Sequence, residues 1–390
     1  MSPRPPPSRP DAARTPDDAP DASSAAPAAA PAAPAKAPTP AGGPAASTRA
    51  SASSGGPAAP SGASTALGAS NASAAAAAAS GGPALGPGEA RAAGGWHDLR
   101  EWREGGRFVD FVGTPVFARA RGRASAASPA VFFLHGVPAS SHDFARLWPR
   151  LAARRALGAF DFVGFGLSGD ARGFGYGLVD QADVALAVAA ALGIGRAHLV
   201  AHDVGGAVAA ELLARRERGL LPLQVESLTL LGGGPLAGLG RAARSHRLVR
   251  KLAAGGRPAR AASFALFRRD FERSFAEPEV LGPDEARRAW GLFVEGQGAP
   301  RSPQALAYGD ELLRPPARWW ASLARLGLPA LVLWGGGDRV VGPEQAQQLG
   351  RHVPGARVRT LPGLGHAPHL EAPGVVAAEL EAFWDDLDGP

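Results

Sequence analysis

Apolar residues in this chain come in short runs that stop at glycine, and stretches with helical spacing follow several of those stops. Ala130 to Leu134 is unbroken and apolar, as a parallel strand buried on both faces must be, and it leads into His135-Gly136-Val137-Pro138. Phe108 to Phe111 and Val116 to Arg119 flank Gly113-Thr114-Pro115 and predict an opening hairpin. Further strands are predicted at Gly158 to Phe162, at Leu199-Val200-Ala201, and at Ser227 to Leu231. Two more are predicted at Ala330 to Trp334 and Arg357 to Leu361. A helix is predicted from about Asp180 to Leu192. This alternation implies an α/β fold with a doubly wound, mostly parallel sheet. A ligand should then sit in the loops at the carboxyl ends of the strands.

The interval from Pro235 to Leu328 breaks the alternation. Its pattern is helical, and it carries Trp290, Phe293, Tyr308, Trp319 and Trp320. We expect a helical cap over 235–328, inserted between core segments 96–234 and 329–390. Trp290, Tyr308, Trp319 and Trp320 are candidates to line a substrate pocket. Each could equally hold the cap to the core, the commoner fate of a large aromatic residue.

Composition separates a tail from this folded part. Residues 1–95 are almost wholly Ala, Pro, Ser and Gly, with no aromatic residue before Trp96. Such a segment buries too little apolar surface to offset its ordering entropy, so disorder and at most a linking or tethering role are expected. Arg4 and Arg9 open the chain, but no Leu/Val/Ile/Phe core follows them. We find no signal peptide and no membrane-spanning run, which makes the cytoplasm the default expectation. The remaining stretch of about 295 residues suits one large α/β domain with an insertion. The net charge of +6 comes from scattered arginines, with Lys36 and Lys251 the only lysines. No basic-aromatic cluster points to nucleic acid. The absence of cysteine rules out disulfides and thiolate metal sites. No metal-ligand spacing is apparent, and no cofactor is expected.

The candidate chemistry begins at Leu199-Val200-Ala201-His202-Asp203-Val204-Gly205-Gly206. An apolar strand ends at a small residue, and after three intervening residues two glycines open an alanine-rich helix. Small residues are needed where a sharp strand-to-helix turn strains the residue at its tip, here Asp203. A carboxylate, with an ordinary pKa of about 3.9, is already ionised and attacks saturated carbon without a base to activate it. An aspartate before a helix also serves as an N-cap, so Asp203 alone decides nothing. Asp338 follows a strand in Leu333-Trp334-Gly335-Gly336-Gly337-Asp338, and His366 follows the last one in Pro362-Gly363-Leu364-Gly365-His366. Singly these read as a turn aspartate and a loop histidine. Together, at one sheet edge, they supply a nucleophile, a base and an acid that orients the base. The backbone N–H groups of Val137 and Val204 are the expected oxyanion donors. His369 is expected to give structural support, His202 to pack or bond beneath the turn, and His142-Asp143 to start a helix.

Several segments carry a family likeness: His135-Gly136-Val137-Pro138-Ala139-Ser140-Ser141, Asp161-Phe162-Val163-Gly164-Phe165-Gly166-Leu167-Ser168, His202-Asp203-Val204-Gly205-Gly206 and Gly365-His366. They resemble the α/β-hydrolase superfamily, and within it the haloalkane dehalogenase and epoxide hydrolase branch. Trp102 to Phe108 and the Tyr308 to Trp320 stretch extend the likeness to the mesoderm-specific transcript protein family. The order nucleophile, acid, histidine is that of the superfamily.

The resemblance implies a small-molecule substrate with an electrophilic carbon and an alkyl-enzyme ester on Asp203. His366, oriented by Asp338, would activate the water that hydrolyses it. Dehalogenases of this type place a halide-binding Trp after the nucleophile, where this chain has Val204, and some an Asn where it has Val137. Epoxide hydrolases use two cap tyrosines, and here only Tyr308 lies in the cap interval. The implied leaving group therefore leans to an epoxide oxygen. A non-catalytic ligand-binding or signalling module on the same fold is the alternative expectation.

Overall fold

In the computed structural model the described residues are 98–388, apart from 126–127, 172, 236–263, 282–283 and 296–307. They belong to the unit Ser80–Pro390. The expected tail, 1–95, lies outside the described residues, as does much of the interval 235–328.

Eight strands form one sheet. They are β1 (Gly106–Phe111), β2 (Thr114–Arg121), β3 (Ala130–Leu134), β4 (Leu157–Phe160), β5 (Arg196–His202), β6 (Gln224–Leu231), β7 (Ala330–Gly335) and β8 (Arg357–Leu361). Their order is β1-β2-β4-β3-β5-β6-β7-β8. Only the β1–β2 and β2–β4 pairings are antiparallel. All others are parallel, which makes the sheet mostly parallel as expected.

Helices cover both faces. α1 (Leu99–Glu104), α2 (Trp148–Leu151), α3 (Leu178–Ala191) and α4 (Gly205–Glu217) precede β6. α5 (Phe264–Glu272), α6 (Glu285–Glu295), α7 (Tyr308–Leu313) and α8 (Ala317–Ala324) lie between β6 and β7. α9 (Glu344–His352), α10 (Pro368–Glu371) and α11 (Pro373–Asp388) complete the chain.

The unbroken apolar strands are explained by their packing. Phe132 and Leu134 of β3 point into one core with Val184 and Val188 of α3 and Val208 and Leu212 of α4. Val131 and Phe133 point into the opposite core with Trp148, Leu380 and Trp384. Both sets are wholly buried, so a polar residue on either face would sit unsatisfied. The second core ends at a stacked edge. The Arg119 guanidinium lies 4.5 Å from the centre of the Trp102 ring and donates to the carbonyls of Glu101 and Trp102. These contacts tie α1 to the sheet.

β3 stands at the switch point of the sheet. The chain goes to one side of it for β4 and crosses to the other for β5. The crossovers diverge there and leave a crevice beyond the carboxyl ends of β3 and β5. The loop after β3 begins at His135 and the turn after β5 at Asp203. Topology thus brings together Val137 and Asp203, which are 66 residues apart in the chain.

Candidate active site

Asp203 occupies the tip of the β5–α4 turn with φ +51°, a left-handed conformation that a non-glycine residue rarely adopts. The turn is held by the Asp203 N–H donating to the Leu231 carbonyl at 3.1 Å and by the Gly206 N–H donating to the Asp203 carbonyl at 3.0 Å. Its glycines are required by close approach. A Cβ on Gly205 would meet the Leu134 carbonyl oxygen at 2.4 Å, and one on Gly233 would meet the Asp203 Cα at 2.2 Å. The Asp203 carboxylate does not cap α4, which has no side-chain cap hydrogen bond. Instead its Oδ2 accepts from the Val137 N–H at 3.1 Å.

His366 and Asp338 meet at the same place. The Nδ1 of His366 donates to Asp338 Oδ2 at 3.1 Å, and its Nε2 lies 3.7 Å from Asp203 Oδ1. The other Asp338 oxygen, Oδ1, accepts from the N–H groups of Val340 and Val341 at 2.8 and 3.0 Å. Asp338 is therefore both a turn aspartate and a partner of the imidazole, with one oxygen for each role. Burial pushes the Asp338 carboxyl up, but the His366 hydrogen bond, the His366 charge and the two amides outweigh it and hold it low. Burial pushes His366 down, and its bond to Asp338 with the charges of Asp338 and Asp203 more than reverses that. All three residues are buried.

Histidines form the floor of this crevice. His135 Nε2 accepts from the Phe162 N–H at 2.8 Å, while its Nδ1 donates to the Gly136 carbonyl at 2.6 Å, which fixes the loop carrying Val137. His202 Nε2 donates to the His366 carbonyl at 3.1 Å, so the residue before the nucleophile holds the loop of the base. Burial lowers His135 and His202 to about 4, and His369 well below the ordinary imidazole value. His142 and Asp143 lie in a 3-10 helix, Ser141–Arg146, capped by Ser140.

The four cap candidates separate. Tyr308, at the start of α7, is wholly buried, and its phenol is held well above its ordinary pKa by burial and by the Asp203 charge. It faces the site. Trp290 packs among Phe264, Phe267 and Phe293, at ring separations of 6.0, 5.2 and 5.9 Å. Trp319 donates its indole N–H to Glu211 Oε2 at 2.7 Å and so fastens α8 to α4. Trp320 stands edge-on to His352, whose Nε2 donates to the Trp320 carbonyl at 2.8 Å.

Two contributors were not singled out from the sequence. Glu371 accepts from the Gly365 N–H at 2.6 Å and the Ala276 N–H at 3.0 Å, clamping the base loop from the far side. Its position five residues after His366 is a signal that could have marked it. Asp161 accepts from the N–H groups of Ser141 and Leu167, both at 2.7 Å, joining the loops after β3 and β4. Among the described residues, one group could hold a metal ion: Asp143, His202 and His369, with one donor atom each, all within 4.8 Å of one another.

Residues 129–373 match the sequence model of the alpha/beta hydrolase fold family. The putative hydrolase LipZ of Mycobacterium tuberculosis is 35% identical over 280 residues, which are 72% of this chain and 95% of the relative. The mesoderm-specific transcript protein of Mus musculus is 28% identical over 288 residues, 70% of this chain and 84% of that protein. The solved structure of an esterase (EaEST) from Exiguobacterium antarcticum matches with a TM-score of 0.57 at 20% identity. It covers 71% of this chain and 98% of the esterase, a likeness of fold.

Proposed function

The chain belongs to the α/β-hydrolase fold family, and on that premise we propose that it is a hydrolase with an aspartate nucleophile, acting on a small substrate at an electrophilic saturated carbon. The observation that carries the reading is the Asp203 carboxylate, set at the tip of the turn between the Val137 amide and the Nε2 of His366.

In this reading Asp203 attacks through Oδ1 and opens an epoxide C–O bond, forming an ester. Tyr308 gives its proton to the leaving oxygen, since burial and the neighbouring carboxylate keep the phenol protonated until that charge develops. His366 then takes a proton from water, and the hydroxide attacks the Asp203 carboxyl carbon. Oδ2, already bonded to the Val137 N–H, becomes the oxyanion. The Val204 amide is the second expected donor. Collapse expels the alkoxide, which takes the proton back from His366. Asp203 is left as the free acid, and its proton returns to the Tyr308 phenolate through solvent. The sum is epoxide plus water to diol.

An epoxide is favoured over a haloalkane by the residues at the leaving-group side. Tyr308 senses the Asp203 charge, whereas Val204 offers no side-chain donor for a halide and Trp290 packs on Phe267. We read residues 235–328 as the cap that delivers Tyr308, between core segments 96–234 and 329–390. The test is diol formation by the full chain across a panel of alkyl and aryl epoxides, with matched haloalkanes. The reading requires epoxide turnover that Asp203→Asn abolishes. Haloalkane turnover alone would reassign the leaving group, and activity that survives Asp203→Asn would refute the nucleophile.

A further inference from the structure

Beneath the Asp203 turn, three residues from separate loops converge. Asp143 comes from the 3-10 helix after β3, His202 from the end of β5, and His369 from α10. Their donor atoms lie within 4.8 Å of one another. The two rings stand edge to face with centres 4.5 Å apart, and His369 is further fixed by stacking on Phe144 at 5.2 Å.

Three of the ring nitrogens in this cluster have no hydrogen-bond partner. Both ring nitrogens of His369 and the Nδ1 of His202 are buried without one. Buried polar groups are otherwise paired almost everywhere in folded proteins, because leaving one unpaired is costly. The His202 tautomer is also set. Its Nε2 faces the His366 carbonyl, which can only accept, so Nε2 carries the proton and Nδ1 keeps a free lone pair. A backbone carbonyl that fixes the outer nitrogen is the usual support of a metal-ligating histidine.

From this geometry we propose that Asp143, His202 and His369 form a binding site for a zinc-type divalent ion, distinct from the set Asp203, His366 and Asp338. Two imidazoles and one carboxylate are a donor set that suits zinc, with a fourth position left for water. A tetrahedral zinc ion holds its donors about 3.3 Å apart, so the three must close by at most about 1.5 Å. Asp143 is the one part-buried member of the three. The charge of Arg146 reaches both Asp143 and His369. Its guanidinium donates to the Leu370 carbonyl at 2.7 Å and pairs with Glu285 at 3.7 Å. A bound ion would bridge three loops that meet at the candidate active site. The inference does not depend on ester chemistry at Asp203.

Chelator-treated full chain is titrated calorimetrically with zinc chloride, and cobalt(II) serves as a spectroscopic substitute. We expect one equivalent bound, with visible cobalt bands of four-coordinate type and a thermal midpoint that rises with zinc. Asp143→Asn and His369→Gln should each weaken binding by about ten-fold or more. His352→Gln, which removes a histidine elsewhere, should leave it unchanged. No binding to folded wild-type chain, cobalt bands of hydrated six-coordinate type, or binding equally tight in both site variants would overturn the assignment. If either variant fails to fold, the wild-type stoichiometry and cobalt spectrum decide.

Discussion

Asp338→Asn isolates what the acid does for the base. Asp338 accepts three hydrogen bonds, two from Val340 and Val341 through Oδ1 and one from His366 through Oδ2. Asparagine keeps one oxygen for the two amides, so the turn should survive. Its NH2 group then faces the His366 Nδ1–H, donor against donor. The imidazole relieves the clash by shifting its proton to Nε2, the nitrogen that must accept from water. Loss of the carboxylate also removes a bond and a charge that hold the His366 pKa up, leaving only the Asp203 charge against burial. A wrong tautomer in a comparable triad costs about 10^4-fold in turnover, so we expect a loss of about 10^3- to 10^4-fold, or about 4–5.5 kcal/mol of barrier. The assay is steady-state diol release with a rapid-quench measurement of the first turnover. Ester formation should remain as a burst, because Asp203 needs no base to attack, while hydrolysis stalls. Turnover within ten-fold of wild type in a folded Asp338→Asn protein would refute the orienting role.

Other outcomes follow from the same geometry. Tyr308→Phe should lower epoxide opening by about 10^2- to 10^4-fold, the usual range for a general acid, and spare any haloalkane turnover; parallel assays of both substrate classes check it. Wild-type turnover should rise with pH as His366 loses its proton, because only the neutral ring can accept a proton from water; the bond to Asp338 holds that limb up against burial, and a pH–rate profile locates it. Gly233→Ala should destabilise the fold by about 1–3 kcal/mol in denaturant titration, since the new methyl meets the Asp203 Cα. Trp319→Phe should cost about 1.5–3 kcal/mol in the same titration by taking a donor from the buried Glu211 carboxylate, with little change in turnover.

The inner strands β3 and β7 were legible because they are buried on both faces and so are written as apolar runs. Ala130–Leu134 and Arg357–Leu361 fall where the pattern places them, and the other strands differ by a few end residues. The glycines around Asp203 signalled the strained turn, since only small residues fit against Leu134 and Asp203 itself. What the sequence could not carry is contact between distant segments. Trp290, Trp319 and Tyr308 look alike as cap aromatics, yet Trp290 fills the interval's own aromatic cluster, Trp319 serves Glu211, and Tyr308 senses Asp203. No local spacing joins Asp143, His202 and His369, because the fold alone brings their three loops together.

The most direct test of the nucleophile is intact mass of the full chain carrying His366→Gln after incubation with epoxides and haloalkanes. The substitution removes the base for hydrolysis and leaves Asp203 free to attack. The account predicts a stable adduct that maps to Asp203, with a mass gain equal to the whole epoxide or to the haloalkane less hydrogen halide. A folded His366→Gln protein that turns over substrate at the wild-type rate, or that carries its adduct on another residue, would contradict it.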